Sequence, residues 1–529
     1  MDDKAVALLK RFDELKHERS TYEHFWQEIR ELVRPGTSDF QKQFYPGDVR
    51  TDRIYDGTAP QALMELSGAL HSFMTSPAER WFALDTDPST TDPESLAWLE
   101  AVADLIFHEY SKSESSFNSS MQEAYQDIAA FGTCIVNQEY VDGIRFRSMA
   151  LADCFLSEDS DGLIDGVYRK VKLNLRQLRQ QFGDESLPRE VKESKEENQK
   201  RDVAHMVFPR TDRVAGKLNS QSMPFASYWV LCKPAMVLRE SGFQALPYHV
   251  GRWDKLAMET YGRGPAIQCL PDIKMLNRME FTNIKAAQKA ADPPLTVPND
   301  GFLAPIKTSP GSINMMEPGG GEIQALPTSD KLMIALEYTE QKRAFIRSCF
   351  FADWVKLVPK KERQTAYEIS ELVEQQLRMM APYTGRINTE LHGPMIERSF
   401  DLLSEHGRLP APPAQLQGQK LKVVYISTSA QAQKGQKAVA MGRFLQDLIP
   451  LFQINPEIMD AVDFDAYAQN FALARMTPRG ILRTPEQIAS IRSKREEDQQ
   501  LAAVTENLEP ASKAVKNLAD AQKAAAFGL

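Results

Sequence analysis

Long apolar runs are missing. None approaches the ~20 residues that a membrane-spanning helix needs, so no membrane partner is expected. Positive charge is in deficit: 63 Lys+Arg stand against 72 Asp+Glu, a net charge of −9. That excludes a broadly basic coat for nucleic acid, because tight phosphate binding needs a surplus of cations; a few local basic contacts to DNA stay open. Cysteine is scarce. Cys134, Cys154, Cys232, Cys269 and Cys349 form no CxxC pair and read as reduced structural thiols of a cytosolic product. The opening Met1-Asp2-Asp3-Lys4 is acidic and runs into an amphipathic segment, unlike a secretory signal.

Catalytic motifs are lacking too. Gly262-Arg263-Gly264 has no third glycine, since Ile267 occupies that place, and no clear strand precedes it. There is no GxxxxGK[ST] to cradle a phosphate. The eight histidines include no HExxH and no His/Cys cluster, and His71 and His108 read as packing or surface residues. Asp159-Ser160-Asp161-Gly162 reads as a turn, because Ser157 and Tyr168 stand where a calcium loop needs acids. Ser67-Gly68 is preceded by Glu65 rather than by the glycine of a nucleophile elbow. Nothing assembles a reacting, metal or cofactor site, and the expectation is a chain that is not an enzyme.

What is present is globular: 42% hydrophobic and 26% charged residues over 529 positions, too many for one core. Helical periodicity covers 4–33, 57–75, 94–112 and 117–131, the last ending at Gly132, a left-handed cap. The period then shortens. Thr133–Val141 and Ile144–Leu151 are strand-like and joined by Asp142-Gly143, a two-residue hairpin turn. Asp161-Gly162 repeats that signal before Leu163–Leu173, and further strand-like pieces fall at 203–208, 225–232 and 236–240. Between them, 184–202 is dense in charge and reads as a mobile surface loop. The expected class is mainly α with a smaller antiparallel β component, an α+β chain.

The middle is the most informative stretch. Residues 271–291 form a helix that starts on Pro271 and stops at Asp292-Pro293-Pro294. Residues 293–329 are rich in Pro and Gly, which forbids long helix there. A second helix spans 330–352. At ~1.5 Å per residue each helix runs roughly 30–35 Å, so the pattern is a paired stalk with a knob at its tip. A basic stretch follows, then a helical run over 365–381 and 387–406 bent near Pro382 and Gly385. After the linker Pro410-Ala411-Pro412-Pro413 come a strand at Leu421–Ser427 and helices near 430–453, 456–475 and 485–505.

Three stretches carry a resemblance. The first is Tyr261-Gly262-Arg263-Gly264-Pro265-Ala266 with Leu270-Pro271-Asp272-Ile273-Lys274, Leu276-Asn277 and Ala290-Ala291-Asp292-Pro293-Pro294. The second is Thr365-Ala366-Tyr367-Glu368-Ile369 with Gly385-Arg386-Ile387 and Glu390-Leu391. The third is Tyr55-Asp56-Gly57-Thr58-Ala59 with Pro77-Ala78-Glu79-Arg80-Trp81-Phe82. Together they resemble the head-to-tail connector, or portal, family of short-tailed phages, over about 1–490. The resemblance implies a homo-oligomeric ring, twelve-fold in the particle, at one capsid vertex. It would conduct double-stranded DNA in packaging and ejection, without a cofactor. Its partners would be the terminase large subunit as motor, a tail adaptor, and the major capsid and scaffolding proteins. Mapped onto this chain, the wing is 1–267, stem helix 1 is 268–292, the clip 293–329, stem helix 2 330–352 and the tunnel loop 353–364. The spine helix of the wing and its return strand take 365–480, and the crown 481–529. The site would be the virion, after assembly in the host cytoplasm.

A conduit has to guide a duplex without gripping it, so few cations are expected at the bore. Lys356, Lys360, Lys361 and Arg363 are the loop candidates. Lys274, Arg278, Lys285 and Lys289 recur at +4, +7 and +4 and share one helical stripe. That stripe is either bore-facing or a solvated face paired with Glu280 and Glu337. Met275, Leu276, Met279, Ile284, Leu332, Leu336, Phe345 and Ile346 are assigned to packing against neighbouring helices. In the clip, Phe302, Met315 and Met316 form either a docking surface or ordinary β loop. Two other readings compete: a nucleic-acid-processing enzyme with an unrecognised site, and a smaller adaptor ring.

Overall fold

In the computed structural model of the chain, the described residues are 2–41, 47, 51–86, 92–193, 196–213, 220–296, 324–325, 332–352, 379–416, 421–425, 441–448, 462–474 and 488–495. They divide into two compact units, Met1–Ser427 and Thr428–Leu529.

The first unit opens with helix α1 (Asp3–Leu32), capped by the Asp2 side chain on the Lys4 amide. Helices α2 (Thr58–Met74), α3 (Pro93–Ser111) and α4 (Phe117–Phe131) follow, with strand β1 (Phe82–Thr86) between α2 and α3. Gly132 ends α4 in the left-handed region at φ +80°. Strands β2 (Thr133–Tyr140) and β3 (Ile144–Met149) then form the hairpin expected from Asp142-Gly143, and both turn residues take positive φ. Strand β9 (Tyr248–Arg252) completes a sheet in the order β3-β2-β9.

A separate five-stranded antiparallel sheet runs in chain order. It contains β4 (Cys154–Glu158), β5 (Ile164–Leu173), β6 (Arg201–Pro209), β7 (Phe225–Leu231) and β8 (Met236–Phe243). Side chains alternate across its faces. Ala204 and Met206 meet Ala5, Phe12 and Leu15 of α1 on one side. Val203 on the other side meets Leu175, Leu178 and Phe182 of α5 (Leu175–Phe182) and Val191 of α6 (Arg189–Lys192). That second face corrects the expectation of a mobile loop over 184–202. Leu187 and Val191, few as they are, fall at positions where both are buried, and they pin this charged segment to the sheet.

The main core joins α2, α3, α4, β2 and β9 to helix Gly393–Glu405. The described helix starts at 379 and runs unbroken through Pro382 and Gly385, near which a bend is expected; the arm before it, 365–378, lies outside the described residues. An irregularity lies just after Gly385, as a single π-helical turn over Asn388–His392. Strand β12 (Leu421–Tyr425) pairs antiparallel with β1, so Phe82 lies opposite Tyr425. In the second unit the described elements are helix Phe464–Ala474 and helices over 441–448 and 488–495. They are tied by Tyr467 to the Met441 carbonyl (2.7 Å) and by Arg492 to Asp465 (2.8 Å).

Candidate functional site

The Gly-rich motif at 262–264 is a packing device. A Cβ on Gly262 would meet the Gly132 carbonyl oxygen at 2.3 Å, and one on Gly264 would meet the Ile128 oxygen at 2.7 Å. Backbone therefore lies directly on backbone, a distance only glycine permits. The Gly262 amide donates to the Thr133 hydroxyl at 2.8 Å, and Tyr261 is buried with its hydroxyl accepting from the Leu156 amide. This lock fixes the short helix α7 (Pro265–Gln268), from which α8 (Leu270–Ala291) departs.

Helix α8 pairs with α9 (Leu332–Cys349). The thiols of Cys269 and Cys349 interact at the start of the first and the end of the second. Farther along, Asp272 takes Lys342 at 2.7 Å and Glu280 takes Arg343 at 2.7 Å. The helices are thus antiparallel. Beyond α8, Leu295 and Thr296 (β10) pair antiparallel with Ala325 and Gln324 (β11), which closes the chain excursion at its base. The two helices fall where the sequence leads one to expect them, and residues 297–323 between them lie outside the described residues.

Lys274, Arg278, Lys285 and Lys289 are all exposed and lie within an arc of roughly 60° at 100° per residue. They point away from the side of α8 that carries Leu276 and Glu280 toward α9. Lys274 reaches Glu28 of α1 at 2.6 Å, and Lys285 sits over the Phe281 ring at 4.1 Å. Arg278 and Lys289 have no ion-pair partner among the described residues. Glu280, expected as a partner of this stripe, is engaged by Arg343 instead. The apolar positions divide. Met275, Ile284, Leu336 and Phe345 are exposed, joined by Tyr338, which sequence reasoning had not singled out. Leu276 and Ile346 are buried in the chain's own core, a correction to their assignment to neighbouring helices: both lie at the root of the pair, where the first unit already covers them. The side chain of Leu332 lies outside the described residues, as do Lys356, Lys360, Lys361 and Arg363 of the loop and Phe302, Met315 and Met316 of the clip.

The sequence pattern of the family described as bacteriophage head to tail connecting protein matches residues 5–482. The chain belongs to this family of connectors. Two relatives agree along nearly their whole lengths. A probable portal protein of Bordetella phage BPP-1 is 28% identical over 510 residues, 94% of this chain and 92% of its own. The portal protein of Salmonella phage epsilon15 is 28% identical over 535 residues, 97% of this chain and 95% of its own. The connector family is structural rather than enzymatic, and this chain functions as a head-to-tail connector, a component of the virion.

The connector's buried titratable groups serve packing. His392 lies in the π turn, with Nδ1 on Asn388 Oδ1 at 2.8 Å and Nε2 on the Tyr125 hydroxyl at 3.0 Å, and Tyr125 in turn meets Thr75 at 3.1 Å. Burial pushes the His392 imidazole down to about 3, and the same holds for His205 and His249. Burial pushes the Cys134 and Cys154 thiols up to about 12, which makes them poor nucleophiles. Asp159-Gly162 is a turn, with Asp159 Oδ1 accepting the amides of Asp161 and Leu163. Among the described residues no group of three His, Cys, Asp or Glu side chains is placed to hold a metal, and no helix is long and apolar enough to cross a membrane.

Proposed function

We propose that copies of this connector close into a dodecameric ring at one capsid vertex and that its axial channel conducts double-stranded DNA during packaging and ejection. The α8–α9 pair is the stem and 293–329 the clip, where Phe302, Met315 and Met316 receive the terminase large subunit and later a tail adaptor. Residues 1–267 and the helix and return strand within 365–480 make the wing, which meets capsid and scaffolding proteins. Residues 353–364 are the tunnel loop, and 481–529 the crown. Lys356, Lys360, Lys361 and Arg363, with the stripe Lys274, Arg278, Lys285 and Lys289, supply weak, exchangeable phosphate contacts. The chain performs no chemistry itself; the motor supplies the energy. Assembly takes place in the host cytoplasm.

The observation that carries this reading is the α8–α9 pair with Met275, Ile284, Leu336, Tyr338 and Phe345 exposed along it. One chain leaves that surface in water, and a neighbour in a ring would bury it at about 25 cal/mol per Å². The test is native mass spectrometry of the full chain, with negative-stain imaging. Wild type should give rings with a central hole, and the double change Leu336→Asp and Phe345→Asp should shift the population to monomers. A wild-type chain that stays monomeric would sink the ring. Intact rings from the double variant would move the interface elsewhere.

A further inference from the structure

Helix α8 changes character along its length. Leu270, Ile273 and Leu276 are buried, whereas none of its residues from Asn277 onward is. The helix leaves the core at about its second turn. At that level a short piece of chain lies across both helices. The Asn277 side chain accepts from the Tyr55 amide at 2.7 Å and donates to the Arg53 carbonyl at 2.8 Å, gripping backbone as a neighbouring strand would. The Tyr55 ring rests on Phe281, with centroids 4.8 Å apart. From α9, Arg343 sends Nε to Asp56 at 2.8 Å, Nη2 to Glu280 at 2.7 Å and Nη1 to Glu340 at 2.5 Å. One guanidinium thus ties residues 53–56, α8 and α9 together.

This contact differs in kind from the root beneath it. The root is apolar, and withdrawing Leu270, Ile273 or Leu276 would open the core. The contact above it is an amide, a ring and ion pairs around an arginine side chain that keeps 24% of its exposure. Opening this contact rehydrates polar groups rather than exposing apolar core, at a cost raised by the low exposure of Asp56 (6%) and Glu280 (13%). Asp56 links the contact inward as well, because its carboxylate also accepts the Thr58 amide at 2.8 Å, at the start of α2. The α8–α9 pair joins the body to the β10–β11 pairing, so a load applied beyond that pairing reaches the body here.

We propose that residues 53–56 form a releasable latch on the root of the α8–α9 pair, with Asn277 and Arg343 as its catch. Closed, it holds the two helices at one angle to the body. Open, it leaves them hinged on the apolar root alone. The proposal concerns how the pair is held and stands whether or not DNA passes along it.

Hydrogen exchange followed by mass spectrometry on the full-length assembled chain tests it. Asn277→Ala and Arg343→Met should each raise exchange in residues 51–58 by roughly tenfold, with strands β2 to β9 unchanged. Raising salt should accelerate exchange of that segment in the wild type, because ion pairs are screened. It should have little effect in Arg343→Met, whose catch is already gone. That difference assigns the salt response to the Arg343 pairs, and its confinement to 51–58 separates a local release from loosening of the whole unit. Unchanged exchange at 51–58 in both variants overturns the latch, as does a wild-type segment indifferent to salt. An equal rise through the β-sheets in both variants also overturns it, since the two residues would then be ordinary supports of the whole unit. Asn277→Ala removes no charge and keeps the test decisive if Arg343→Met fails to fold.

Discussion

His392 is held neutral by burial. Its side chain is fully buried, with Nδ1 at Asn388 Oδ1 and Nε2 at the Tyr125 hydroxyl, and no acidic partner among the described residues offsets the cost of a buried charge. Burial holds its pKa at about 3 against an ordinary 6.5. The unfolded chain therefore binds the proton first. Above pH 6.5 neither state is protonated and the histidine adds no pH dependence. As pH falls from 6.5 toward 3, the unfolded state gains protons and stability drops by about 1.4 kcal/mol per pH unit for each such group. His205 and His249 add to the same slope. His392→Gln should be less stable than wild type at pH 7, for want of a hydrogen bond, yet should lose stability less steeply between pH 6 and 4.5. Urea midpoints at several pH values measure both. An unaltered slope would mean that His392 is already charged in the folded chain.

Elements in this molecule are set at angles by backbone contact as much as by side chains. The clearest case is α4 against the 261–264 segment, where Gly132, Gly262 and Gly264 meet with no room for a Cβ. Gly264→Ala puts a methyl group against the Ile128 and Ala129 carbonyls, so the segment has to move, at about 1–3 kcal/mol for the overpacking. Gly132→Ala adds the left-handed penalty of about 1–2 kcal/mol at φ +80°. The thermal midpoint should fall in both variants and further in Gly132→Ala. Equal midpoints would show that the two segments separate freely.

The helices and hairpins were legible because periodicity and turn residues act locally. Asp142-Gly143 announced its hairpin, and Pro271 with Asp292-Pro293-Pro294 bounded α8. What was not legible depends on distant partners. Strand β1 is five residues long and becomes a strand by pairing with β12, more than 300 positions away. The π turn at Asn388–His392 has no local mark, and is braced by Tyr125 and by the Tyr425 hydroxyl on the Asn388 carbonyl. Likewise Tyr55-Asp56-Gly57 stood out as a motif, but its engagement with Asn277 and Arg343 is a contact across more than 200 residues.

At the scale of the whole molecule the deciding quantity is charge. In the proposed ring, a chain of net −9 carries no overall attraction for a duplex. Passage would then depend on a few cations close enough to trade counterions with phosphates. Among the proposed α8 contacts, Arg278 and Lys289 have no ion-pair partner among the described residues, whereas Lys274 must leave Glu28 and Lys285 must leave the Phe281 ring to reach a phosphate. The remaining candidates are in the loop, and replacing Lys360 and Lys361 with Glu makes each chain four units more negative. Rings should assemble as before, because the exposed apolar residues of α8 and α9 are untouched. Genome content per particle should fall at low salt and recover partly as salt rises, since added counterions screen the new repulsion. Particles are to be counted by electron microscopy and their DNA by nuclease-protected mass. Unchanged DNA content in normally assembled particles would remove the loop lysines from the path of the duplex. Lost assembly with no surviving rings would instead place them at an interface between copies.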